Sequence, residues 1–216
     1  MKRIRKSFIT SMCLLTAFVL WTVAICFVDV RAIGPRGSSV GFAGINGSVH
    51  TLTGVHFSLY NITDWLGLVP IFVCIGFGIL GLVQWIKRKS IRKVDYEILV
   101  LGGFYIVTIA AYFFFESVVI NYRPVLINGF LEASYPSSTT MLVMCVMSTA
   151  IMQLGSRIKS KVLRNIIAVT IITFIAFMVI GRLISGVHWF TDIVGSALLS
   201  TGLVMMYRAI IGFGVK

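Results

Sequence analysis

Three ionisable side chains, Arg182, His188 and Asp192, lie close together between two strongly apolar segments. They fall in the run Gly181-Arg182-Leu183-Ile184-Ser185-Gly186-Val187-His188-Trp189-Phe190-Thr191-Asp192. Ionisable groups at a membrane carry a desolvation cost and are retained mainly where they act. His188 and Asp192 are four residues apart, so on a helix they share a face, and the carboxylate can hold one imidazole nitrogen while the other points outward. An imidazole prepared in this way serves as a base or a nucleophile. Arg182 and His188 are six apart, which on one straight helix places them on different faces. Ser185-Gly186 is therefore expected to turn the chain, with Arg182 closing one helix and His188 and Asp192 starting the next.

A second polar cluster precedes it. Asn121-Tyr122-Arg123-Pro124 leaves one apolar segment, and Ser134-Tyr135-Pro136-Ser137-Ser138-Thr139-Thr140 opens the next. Proline is tolerated in a first helical turn, and hydroxyl residues around it suit a helix start. Such a start presents free backbone N–H groups and a positive dipole, a ready anion site. Two arginines whose forks match phosphate oxygens, a hydroxyl-rich helix start and an oriented histidine make a phosphate pocket with a nucleophile.

The elements that must position these groups are membrane spans. The chain is 58% hydrophobic and only 12% charged, too apolar for an ordinary soluble domain. Six apolar runs, Ser7–Val28, Trp65–Ile86, Glu97–Ile120, Ser137–Leu154, Asn165–Gly181 and Asp192–Phe213, approach or exceed the roughly 20 helical residues that cross a hydrocarbon core. The expected fold is all-α: a polytopic six-transmembrane-helix bundle forming one membrane-embedded domain over residues 1–216. Arg164, beside the short fifth run, can snorkel to the interface.

The net charge of +12 is explained by orientation. Fifteen of the nineteen Lys and Arg fall on one side of the six runs, in 2–6, 87–93, 157–164 and the C-terminal stretch; Arg31, Arg36, Arg123 and Arg182 fall on the other. The positive-inside rule then makes both termini cytoplasmic. The basic loops are short and need no nucleic-acid partner. Arg123, Arg182, His188 and Asp192 share the outer face, and the reading is an integral protein of a bacterial cell membrane with its site facing outside.

Lys-Arg-Ile-Arg-Lys before the first run also suits a cleaved signal peptide, with Val30 and Ala32 ahead of a cut, but the run is longer than a signal core and is read as an uncleaved anchor. Residues 29–64 read as a long external loop lying across the interface, with Phe57, Leu59, Tyr60 and Trp65 toward lipid. Thr63-Asp64 reads as a helix cap before Trp65; Trp65 and Trp189 suit an aromatic belt. The four cysteines, within spans and without CxxC spacing, read as packing residues. His50 and His56 lack the spacing of a metal pair; an interfacial role fits both, and His56 can alternatively reach the pocket from the loop. Asn46-Gly-Ser48 and Asn61-Ile-Thr63 match glycosylation triplets.

Together these residues resemble the type 2 phosphatidic acid phosphatase (PAP2) superfamily of membrane lipid phosphatases. Its signature is Lys-x6-Arg-Pro, Pro-Ser-Gly-His and Ser-Arg-x5-His-x3-Asp, and the likeness spans Glu116 to Asp192. Arg123-Pro124, Pro136-Ser137 and Arg182-x5-His188-x3-Asp192 agree with it. Glu116 stands at the signature lysine, Ser138 at the glycine, Thr139 at the histidine and Gly181 at the serine. The resemblance implies that His188 takes the phosphoryl group, Asp192 orients it, and Arg123 and Arg182 clamp the phosphate. Ser137, with Ser138 and Thr139 beside it, would bind the phosphate too. It implies no metal or other cofactor, and a lipid phosphate or diphosphate as partner among the membrane lipids.

The histidine that protonates the leaving group in that family has no counterpart. Expelling an alkoxide needs a general acid more than expelling a phosphate does, so a polyprenyl-type lipid diphosphate is the expected substrate. A catalytically degenerate protein that binds or moves lipid phosphates is the alternative. Glu116 is expected to pair with Arg123 or to stand in as a proton donor. The plainest alternative makes Arg182, His188 and Asp192 interfacial helix caps.

Overall fold

A computed structural model describes residues 2–214, which form eight α-helices. They are α1 (Lys2–Phe27), α2 (Ala43–Thr53), α3 (Phe57–Leu66), α4 (Leu68–Arg88), α5 (Tyr96–Ser117), α6 (Ser138–Arg157), α7 (Lys161–Ile184) and α8 (Phe190–Gly214). Isolated bridges such as Tyr122 to Ala133 are the only β-pairing among the described residues. Six helical segments are long and apolar enough to span a bilayer, and each overlaps one of the six runs in the sequence. The fifth span is longer than its apolar run because the helix continues through Lys161 and Arg164 at one end and Arg182 at the other.

The fold departs from the sequence reading between residues 29 and 64. That segment is not a loop but carries α2 and α3, and α3 runs almost without interruption into α4. The Gly67 amide donates to the carbonyls of Thr63 and Asp64, both at 3.0 Å, so the helical bonding is only bent there. Thr63 is consequently no N-cap. It lies inside α3, where its hydroxyl donates to the Leu59 and Tyr60 carbonyls at 2.9 Å.

α6 and α8 are the most buried spans, and the other four surround them. Small and hydroxyl residues let α8 approach its neighbours closely, the usual device where lipid supplies no hydrophobic drive between helices. Ser196 Oγ donates to the Ser137 carbonyl at 2.9 Å, Ser200 Oγ to that of Met141 at 3.3 Å, and Ser11 Oγ in α1 to that of Gly202 at 2.7 Å. Large apolar side chains such as Leu20, Phe72, Ile106 and Val169 stay exposed on the outer helices. A hydrocarbon solvent accepts them where water would not.

The two ends of the bundle differ in charge. At one end Arg88 and Arg157 pair with Asp95, and Arg157 also with Glu97, close to where α8 finishes against Tyr96. Gln153, fully buried, donates to the Tyr207 hydroxyl and accepts from Arg157. The opposite end gathers the C-termini of α5 and α7, the N-termini of α6 and α8, and the α2–α3 segment. All the candidate site residues lie at this end, Glu116 exposed on the last turn of α5.

Candidate phosphate site

His188 lies in the turn from Ser185 to Trp189, just ahead of α8 rather than inside it. Gly186 takes φ +68°, and an added Cβ would run into the Gly54 carbonyl. The His56 amide donates to the Ser185 carbonyl at 3.0 Å. The turn is thus fixed from outside by the junction of α2 and α3. α2 also holds the start of α8: the Asn46 side chain accepts from the Thr191 amide at 3.2 Å and donates to the Thr191 hydroxyl at 2.9 Å. Asn46 is completely buried, so the triplet it begins is closed to glycan attachment.

Arg182, on the last turn of α7, is 1% exposed. Its Nη1 lies 3.4 Å from Thr63 Oγ1 and 3.6 Å from Asp64 Oδ1, and its guanidinium sits 4.9 Å from the centroid of the Tyr60 ring. Arg123 enters from the loop between α5 and α6. Its backbone N–H donates to the Glu132 carbonyl at 3.0 Å, and its Nε lies 3.1 Å from Glu132 Oε2. Both guanidinium groups reach His188 Nε2, Arg123 Nη1 at 3.4 Å and Arg182 Nη2 at 3.5 Å. Burial first, then the two arginine charges, hold the imidazole well below its usual range. It is neutral at pH 7, with a nitrogen facing two cations.

Three expectations are corrected. Glu116 is exposed near the end of α5, and Arg123 pairs with Glu132 instead. Asp192 is fully buried, but its Oδ2 is 3.7 Å from His188 Nδ1, beyond hydrogen-bond range. Ser134 Oγ stands between them. Trp189 is buried rather than belt-like, and its indole donates to the Tyr122 carbonyl at 2.7 Å. Trp65 alone of that pair is broadly exposed.

Ser137 is the N-cap of α6, with its hydroxyl buried and unpartnered among the described residues. Ser138 and Thr139 line a groove of about 560 Å³ together with Asp64, Leu68, Ile71, Ile109 and Leu142, between α4, α5 and α6. His56 is exposed and bonds the Thr53 carbonyl at 2.9 Å, away from the pocket. The His50 ring packs 5.5 Å from that of Trp189. Tyr60, expected to face lipid, packs on Arg182 instead. Thr63 and Asp64, expected as a cap, and Ser134, expected only within the hydroxyl-rich cluster, are site neighbours too. The i, i+4 spacing of Tyr60 and Asp64 on a helix was the available signal for two of them.

A sequence profile described as the PAP2 superfamily matches residues 103–213. The chain belongs to the PAP2 superfamily. The matched span of this PAP2 protein begins within α5 and ends in α8, so it takes in Arg123, Ser137, Arg182, His188 and Asp192, while α1 to α4 lie outside it. Across the whole chain the fold is similar to that of the "first transmembrane PAP2 type phosphatidylglycerolphosphate phosphatase from Bacillus subtilis". The match has a TM-score of 0.62 at 16% identity and covers 95% of this chain and 96% of that one. No curated protein matches in sequence. The PAP2 membrane phosphatase fold, with six spans, supports a lipid phosphatase in an integral membrane protein.

Proposed function

We propose that this PAP2 protein hydrolyses a lipid diphosphate of the polyprenyl type at the outer membrane face, through a phosphohistidine at His188 and without a metal. The observation that carries the reading is the convergence of two buried arginines on one neutral imidazole nitrogen. Buried guanidinium groups are costly unless an anion shares the site, and their forks suit phosphate oxygens. His188 Nε2 attacks the terminal phosphorus, the bond to the bridging oxygen breaks, and the lipid monophosphate leaves with the electron pair. Water then attacks the phosphorus, releases inorganic phosphate and restores the imidazole. The arginines offset the charge that develops on the non-bridging oxygens.

The groove supports a lipid substrate. Asp64, 3.6 Å from Arg182, shares the groove's lining with Ser138 and Thr139, so a phosphate held by the arginines would project its tail there, and the lining is mostly apolar. A second groove of about 440 Å³, sharing Cys74 and Tyr105 with the first, continues along α4 and α5 toward Ile91 and Val94. One long chain suits such a path. Thr139 cannot protonate a leaving alkoxide as an imidazole would, and a diphosphate substrate relieves that need. Lys and Arg concentrated at the opposite end of the bundle orient the site outward by the positive-inside rule, as in a bacterial cell membrane.

Phosphate release by detergent-purified protein and its His188→Ala variant tests the reading, measured on an isoprenyl diphosphate, phosphatidic acid and phosphatidylglycerophosphate with a chelator present. Release fastest from the diphosphate and abolished by the substitution is expected. Equal release by both proteins would eliminate the phosphohistidine; faster release from phosphatidic acid would eliminate the diphosphate preference. Lipid binding without release by either protein would identify a degenerate binder.

A further inference from the structure

Ser134 stands between the two groups that a direct carboxylate–imidazole pair would join. Its Oγ is 3.1 Å from His188 Nδ1 and 2.5 Å from Asp192 Oδ2. All three residues are almost entirely buried, so water does not compete for these contacts. The backbone of Ser134 is fixed as well: its amide donates to the Asn121 carbonyl at 2.9 Å, beside the bridge between Tyr122 and Ala133.

The direction of the hydrogen bonds follows from the partners. Asp192 Oδ2 also accepts the Trp189 amide at 2.8 Å, so that oxygen acts as an acceptor. The single hydroxyl hydrogen of Ser134 therefore goes to Asp192, and Oγ presents a lone pair to His188. Nδ1 must then carry the ring hydrogen. The other side of the ring gives the same answer independently. Nε2 faces Arg123 and Arg182, and guanidinium groups only donate, so Nε2 keeps its lone pair.

We propose that Ser134 is a positioning residue whose hydroxyl carries the hydrogen bond from His188 to Asp192 and holds the Nδ1–H tautomer, leaving Nε2 free to attack phosphorus. The inference rests on the reading of His188 as the nucleophile. When the Nε2–P bond forms and the P–O bond breaks, the electron pair leaves with the lipid oxygen and the ring becomes cationic. Nδ1 keeps its hydrogen throughout. The polarised chain from Nδ1–H through the serine hydroxyl to the carboxylate stabilises that cation without any proton transfer.

The tautomer is measurable apart from turnover. The chain has three histidines, so ¹⁵N-histidine labelling, with His188→Ala to assign the signal, reports on both nitrogens of His188 at pH 7.5. Wild type is expected to show a protonated Nδ1 and an unprotonated Nε2. Ser134→Ala is expected to show mixed tautomers and a kcat lower by about ten- to a hundredfold, the loss of one hydrogen bond to a charging group, with KM little changed. Ser134→Thr should restore both readouts. If Ser134→Ala does not fold, Ser134→Cys, a weaker donor, is measured in the same way and should fall between. A wild-type tautomer with kcat within twofold in either variant overturns the proposal. A wild-type protein that releases no phosphate sinks the nucleophile reading, while the nitrogen signals still show whether Ser134 sets the tautomer.

Discussion

Arg182 Nη1 lies 3.6 Å from Asp64 Oδ1, joining a guanidinium that is 1% exposed to a carboxyl group that is 57% exposed. Asp64 belongs to α3, the first part of the second span, and lines the groove with Ser138 and Thr139. In the proposed reaction a phosphate competes with this carboxylate for Arg182.

Removing the competitor should therefore tighten anion binding. An ion pair with one exposed partner contributes at most about 1 kcal/mol, so Asp64→Asn is expected to lower the inhibition constant of inorganic phosphate roughly three- to fivefold. Steady-state inhibition by phosphate measures this directly. A weaker inhibition constant would show that Asp64 holds Arg182 in its binding pose rather than competing for it.

Gly186 and Gly54 both take positive φ, at +68° and +67°. They differ in surroundings: a Cβ on Gly186 would strike the Gly54 carbonyl, whereas one on Gly54 would meet only His56 Nε2 at 3.9 Å. Gly54 has ψ −162°, a conformation essentially confined to glycine, so Gly54→Ala should cost backbone strain alone, about 1–3 kcal/mol. Gly186→Ala adds displacement of the turn that carries His188, and misplacement of about 1 Å can cost a hundredfold in rate. Thermal denaturation in detergent and kcat, measured on both variants, should place Gly186→Ala well below Gly54→Ala in activity. Equal losses would detach the turn geometry from turnover.

How much of this was legible in the chain depends on the range of the interactions. The six spans follow from local hydropathy, and the Arg182, His188 and Asp192 cluster from local spacing. The partners set by chain reversal did not show. Arg123 is seven residues from Glu116 and nine from Glu132, and it pairs with the latter. The reason is a tight turn: Asn128 and Gly129 both take positive φ, and Ile127 bridges Phe130, folding Glu132 back across Arg123. Asn-Gly is the strongest short hairpin signal and would have pointed to it. For the approach of α3 to Arg182 the chain marks only that Tyr60 and Asp64 share a helix face; what that face meets depends on packing between α3 and α7.

The depressed proton affinity of His188 gives a pH prediction with a definite sign. Burial and the two arginines favour the neutral ring in the folded protein. Below its ordinary value of 6.5 the unfolded chain binds the proton more readily, so this residue makes the fold less stable as pH falls through that value. The neutral nucleophile should correspondingly persist in mild acid. The acid limb of kcat/KM, corrected for substrate ionisation, is expected below pH 6.5. Arg123→Gln removes one repelling charge and should move the acid limb up. An acid limb at 6.5 in the wild type would contradict the buried, cation-flanked imidazole.

Thr139 offers the sharpest test of substrate choice. It occupies the first turn of α6, partly exposed, with Cγ2 placed 3.3 Å from where a Cβ on Gly67 would stand, and it lines the groove through which a lipid tail would leave the site. In the proposed reaction the leaving oxygen would depart toward that groove, so an imidazole introduced there would face the bond that breaks. General acids typically contribute about a hundred- to ten-thousandfold when the leaving group is poor and much less when it is already acidic. Thr139→His is expected to raise kcat on an alkyl monophosphate at least about tenfold relative to kcat on an isoprenyl diphosphate. Phosphate release from the two substrates by wild type and variant gives the ratio. If it does not move, protonation of the leaving oxygen does not limit monophosphate turnover, and the preference for a diphosphate must come from how the arginines grip the second phosphate group.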